Sequence, residues 1–146
     1  MKPLLDGDRF TTPSVEVTES MRAAMIGLGG YTHPLFTQPA RVALPGGSPL
    51  PGQAVLLLMG GLVEQSERLE DAVALLGLQD VRFRQPAVPG TVVTVRVEVV
   101  GHAPTKSGRR VREMRWQAVD EAGTVLVEAT AQMLVEAAPS GAEQPR

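Results

Sequence analysis

Residues 51–69, PGQAVLLLMGGLVEQSERL, decide how the rest of the chain must fold. Proline suits the first turn of a helix, so Pro51 marks the start of one running from about Gly52 to about Leu69. Its first half, AVLLLMGGLV at 54–63, is apolar on every face, whereas Glu64 to Arg68 is polar. A helix that is apolar all round must be enclosed by other structure. Each of Val55, Leu56, Leu57, Leu58, Leu62 and Val63, if buried, contributes about 1.5–3 kcal/mol of transfer free energy. Gly60 and Gly61 would each cost roughly 1 kcal/mol against alanine in an exposed helix. Two together predict that backbone or a ligand comes close there.

The enclosure comes from downstream. After VALLGLQD at 73–80 the apolar period changes to two. VRFRQP sets Val81 and Phe83 on one face and Arg82 and Arg84 on the other. The next segments align Val93, Val95, Val97 and Val99, then Met114, Trp116 and Ala118. The last aligns Val125, Val127, Ala129, Ala131, Met133 and Val135. HAPTKSG at 102–108 and DEAG at 120–123 are the connections expected of hairpins. The pattern is α+β, an antiparallel meander whose one apolar face curls around one apolar helix.

Upstream, PSVEVT alternates and predicts a short strand ending at Thr18. Thr18 is placed to cap a helix, with Glu19 in its first turn favoured by the dipole. Met21, Ala24, Met25 and Leu28 share one face of that helix, and Gly29-Gly30 ends it. From Tyr31 to Gly52, Pro34, Pro39, Pro45, Pro49 and Pro51 forbid regular structure for long.

Composition excludes whole classes of chemistry. The chain of 146 residues has no cysteine, so disulfides, thiolate nucleophiles and zinc–sulfur sites are out. Two histidines make a histidine-rich metal site unexpected, and no metal or other cofactor is predicted. A net charge of −2 gives no pull toward nucleic acid or anionic lipid. MKPLLDGDRF has no apolar signal region, and the longest apolar run falls short of the ~20 residues that span a bilayer. A cytoplasmic protein is expected, with residues 1–138 forming a single domain and 139–146 a disordered tail.

The chain resembles the MaoC-like dehydratases and enoyl-thioester hydratases. The resemblance runs from LLDGDRFTTPSVEVTESM through HPLFT and the Pro-Gly before the apolar helix to VRFRQPAVPGTVVTVRVEVV and the last strand. It implies a hot-dog fold, in which a curved sheet wraps a long central helix, and an acyl thioester of CoA or acyl-carrier protein as substrate. The family's fingerprint is Gly-Asp-x-Asn-Pro-(Leu/Ile)-His with an acidic residue soon after. Here GYTHPLF keeps Gly30, Pro34 and Leu35 in register. Tyr31 stands at the catalytic Asp position, His33 at the Asn, Phe36 at the catalytic His and Gln38 at the trailing acid. Both members of the acid/base pair are therefore replaced.

A hydratase needs a base near working pH and an acid for the departing oxygen. Phe36 supplies neither; it is expected in the substrate pocket. His33 is the imidazole of the stretch and so the candidate proton-transfer group, and Tyr31 can donate a hydrogen bond. The pair is the candidate catalytic set, and a histidine bonded to a loop carbonyl beside a half-buried tyrosine is the competing expectation. Gly52 and Gln53 open the apolar helix, where free N–H groups suit a developing oxyanion; the resemblance implies that the thioester carbonyl is polarised there. The pocket is expected to be apolar and tunnel-like, between residues 29–38 and this helix end. A non-catalytic binder or partner subunit is the alternative. A thioesterase, with Glu64 or Glu67 as its carboxylate, ranks third.

Outside this region the expectations are plainer. KSGRR with Arg112 and Arg115 reads as a solvated hairpin, His102 as a surface residue, Asp6-Gly7-Asp8 as turn chemistry and Trp116 as core. An unpaired sheet edge predicts a homo-oligomer, most simply a homodimer.

Overall fold

A computed structural model describes residues 3–38 and 47–138. Strand β1 (Arg9–Glu16) leads to helix α1 (Glu19–Gly29), one turn of helix α2 (Pro34–Thr37) and helix α3 (Gly52–Gln65). Four long strands follow: β2 (Ala72–Phe83), β3 (Val92–Pro104), β4 (Arg110–Val119) and β5 (Val125–Val135). They form one antiparallel sheet in the order β1-β3-β4-β5-β2. Its apolar face closes on α3, as the α+β expectation requires. Val55, Met59, Leu62 and Val63 of α3 meet the inward valines of β3, Met114, Trp116 and Ala118 of β4, and Val127, Ala131, Met133 and Val135 of β5. The period-two runs thus become the core.

Local chemistry sets the element ends. Thr18 Oγ1 accepts the Met21 N–H at 3.1 Å, the cap expected. At the other end of α1, Gly30 adopts φ 75°, while Tyr31 N–H bonds to Ile26 O and Gly30 N–H to Gly27 O. That is a Schellman ending, which needs a left-handed residue at position 30. Gly29 has another reason: a Cβ there would stand 2.6 Å from Tyr31 Cε1.

Several expectations are corrected. Helix α3 stops at Gln65, four residues before Leu69, because Ser66 Oγ takes the Val63 carbonyl and Glu67 turns to φ 60°. VALLGLQD belongs to β2, whose pairing with β5 shifts register between Ala72 and Ala74, Leu75 and Gly77, and Gln79 and Arg82. Each shift breaks the alternation that would have revealed the strand. Strand β1 starts at Arg9 and ends at Glu16, short of Thr18, and β3 continues through Pro104. In α1 the buried residues are Arg22 and Ile26; Leu28 is 89% exposed. Phe83 is 54% exposed rather than sharing a buried face with Val81. A Cβ on Gly60 or Gly61 would meet nothing within 4 Å, so no described backbone presses there. Nor does one chain enclose α3 fully, since Leu57 is 64% exposed. The proposed tail at 139–146 lies outside the described residues, as do Pro39 and Pro45.

The largest correction is at the end of the sheet where α3 hands over to β2. Arg112, expected on a solvated hairpin, has its side chain wholly buried. Its Nη1 and Nη2 donate to Asp71 Oδ1 and Oδ2 at 2.9 and 2.7 Å, and its Nε donates to His102 Nε2 at 2.9 Å. His102 Nδ1 lies 2.6 Å from Asp6 Oδ1, which makes Nδ1 the protonated nitrogen of a neutral ring. His102, itself largely buried, is therefore a link between the buried Arg112 and the exposed Asp6 and not a surface residue. Burial raises the Asp71 carboxyl, but the two bonds and the charge of Arg112 outweigh it and hold the carboxyl below the usual range.

Candidate active site

The loop after α1 is built by its own hydrogen bonds. Pro34 occupies the first turn of α2, and His33 caps it: His33 Nδ1 accepts the Leu35 N–H at 3.0 Å. The carbonyl ends are taken by residues from elsewhere. Arg22 Nη1 donates to Phe36 O at 3.0 Å, and Ser48 Oγ donates to Leu35 O at 2.6 Å. Arg22 is held in turn by both carboxylate oxygens of Glu19, at 2.9 and 2.8 Å. Those bonds keep Glu19 below the ordinary carboxylate range and raise Arg22 further. A buried arginine in α1 thus fixes where α2 sits.

Tyr31 and Phe36 pack edge to face, with ring centroids 5.2 Å apart. The Tyr31 hydroxyl reaches Gln53 Oε1 at 3.3 Å, joining the loop to the first turn of α3. No side chain caps α3, so the N–H groups of Gly52 and Gln53 have no intrahelical acceptor. Beside them lies a cavity of about 350 Å³. Leu35 and Phe36 wall it from α2, Gly52, Gln53 and Val55 from α3, Phe83 from the end of β2, and Ala87 and Val127 from the sheet side. Arg84 is the charged residue in the lining, and it is paired with Glu128 at 3.0 Å. That bond holds the Glu128 carboxyl below its ordinary value.

Of the five residues expected at the site, Phe36, Gly52 and Gln53 line this cavity. Tyr31 joins them through Gln53, whereas His33 is exposed and turned to its cap bond. With Nδ1 accepting, the neutral ring carries its proton on Nε2, where it can donate and cannot accept. Glu64 and Glu67 do not line the cavity. Phe83 and Val127 also line the cavity and were not expected there: Val127 sits in alternating strand sequence, which signals burial and not position along the helix, and Phe83 follows a register shift of β2. A wider depression of about 530 Å³ crosses the outer face of the sheet among Arg9, Arg96, Glu98 and Arg115. Its lining comes from β1, β3 and β4 and includes no residue of α3 or of the 29–38 loop. Among the described residues no cluster of metal-binding side chains occurs.

No protein-family model matches the chain. No curated protein matches it either. Solved structures do. A MaoC-like dehydratase from Rhodospirillum rubrum superposes with a TM-score of 0.78 at 24% identity, over 93% of this chain and 95% of the other. An (R)-hydratase from A. caviae involved in PHA biosynthesis gives 0.70 at 22% identity, over 94% of this chain and 100% of its own. A Mycobacterium tuberculosis protein with a double hot-dog fold gives 0.76 at 21% identity, over 97% of this chain and 45% of that larger one. The fold is the hot-dog fold, and its structural neighbours include MaoC-like dehydratases.

Proposed function

We propose that the protein acts on an acyl thioester, of CoA or acyl-carrier protein, by hydration, dehydration or a related proton transfer, with a substituted active site. The observation that carries this is the apolar cavity at the uncapped start of α3, bounded by the α2 turn. An acyl chain fits its lining, and a thioester carbonyl placed at the helix start meets N–H groups that have no other acceptor. Tyr31 and Gln53 border that position and orient the substrate by hydrogen bonding.

His33 is the proton-transfer group of this reading. In the capped state its Nε2–H serves as a donor. For Nε2 to accept a proton, the ring must release the Leu35 N–H and take the other tautomer. Phe36 contributes bulk and no chemistry. The reading needs no cofactor or metal, and it includes a cytoplasmic homodimer. The dimer rests on an unpaired sheet edge, β2, that exposes Val73, Leu75 and Leu76. Among the described residues no helix is long and apolar enough to cross a membrane.

The test is to follow addition of water to crotonyl-CoA by loss of the enoyl-thioester absorbance, with binding measured separately. Turnover is expected, and His33→Ala should lower it by about 10²–10⁴-fold per folded molecule. Binding without turnover in the wild type would instead identify a binding protein or partner subunit. That alternative would rest on the cap bond that occupies His33 Nδ1.

A further inference from the structure

We infer that Phe83 is the specificity-determining wall of the pocket, whose bulk limits the acyl group accepted beside the start of α3. This rests on the thioester reading of the same cavity. The lining falls into two mechanical classes. Val55, Ala87 and Val127 are at most 2% exposed and packed on all sides, so moving them would open the core. On the α2 side, Phe36 is held by the Tyr31 ring and by the Arg22 bond to its carbonyl. Phe83 is different. It is the last residue of an edge strand, just past the register shift between Gln79 and Arg82, and more than half of it faces outward.

Its inner side lies against the first residue of α3. A Cβ on residue 52 would stand 2.6 Å from Phe83 Cε1 and 2.7 Å from Cδ1, distances real side chains do not adopt. Only glycine at position 52 admits the ring so close to the helix start. The ring therefore occupies space next to the N–H groups assigned to the carbonyl, where the acyl group begins. A planar substituent on that acyl carbon chain competes with Phe83 for volume, whereas a methyl does not.

The experiment measures dissociation constants of crotonyl-CoA and cinnamoyl-CoA by calorimetry for the wild type, Phe83→Ala and Phe83→Trp, with a thermal melt of each. The half-exposed position predicts that all three fold. The preference for cinnamoyl over crotonyl should rise about tenfold or more in Phe83→Ala and fall in Phe83→Trp, the scale of a pocket-volume effect. Thioesters bound by all three proteins with an unchanged preference would overturn the role of Phe83 alone. Failure of all three to bind either thioester would overturn the reading of the pocket and this inference with it.

Discussion

The two ends of the central helix are finished in opposite ways. Past its C-terminal end, Arg112, Asp71, His102 and Asp6 form a chain in which every guanidinium nitrogen of Arg112 donates to a partner. At its N-terminal end, no side chain caps α3, and the neighbouring groups are mostly apolar. Those paired polar groups tie four segments of the chain together. Unsaturated ones cost stability but remain available. Charge density is therefore a poor guide to the proposed site: the ionic chain around Arg112 is a fastening, and the proposed site lies where helix donors lack partners.

The contrast breaks most readily at Arg112. Arg112→Leu strands the Asp71 carboxylate in a partly buried position and should cost about 3–5 kcal/mol, read by denaturant unfolding. A loss below about 1 kcal/mol would mean that the chain is decoration. Phe36→Ala, at the open end, should cost about 2 kcal/mol, less than a fully buried phenylalanine because the residue is only half-buried. Equal losses at the two positions would erase the distinction between fastening and site. Tyr31→Phe should cost about 0.5–1 kcal/mol, one hydrogen bond, and keep the ring contact with Phe36.

Acid offers a subtler probe. The folded Asp71 carboxyl lies below its ordinary value, so its contribution is complete above the unfolded value near ~4 and is lost as pH falls through the folded one. Unfolding followed from neutral to strongly acid pH should show this slope, and Arg112→Leu should flatten it. A slope unchanged by that substitution would place the acid-sensitive carboxylate elsewhere.

Much of this was legible in the sequence, for identifiable reasons. The valines of β3 alternate without interruption, and all four expected inward residues are buried. Thr18 and the Gly-Gly pair act through local bonds that a few residues suffice to specify. Strand β2 was not legible because its bulges scramble a period of two. Arg112 lies in step with Met114, Trp116 and Ala118, so the alternation placed it inside; its charge argued otherwise, and only the distant Asp71 resolves the conflict. The pocket was foreseeable as a meeting of loop and helix start. The approach of Phe83 was not, since it depends on where an irregular edge strand ends.

The Gly29–Tyr31 contact ties two letters of the sequence into one. With the ring 2.6 Å from where a Cβ would lie, residue 29 must stay glycine for as long as residue 31 keeps an aromatic ring in this pose. A shorter side chain at 31, such as the aspartate of the resembled family, would lift that restriction. A designer restoring an acid at position 31 thereby gains a second free choice at position 29, where alanine would stiffen the end of α1. Redesign of this loop has to treat the two positions as a single unit.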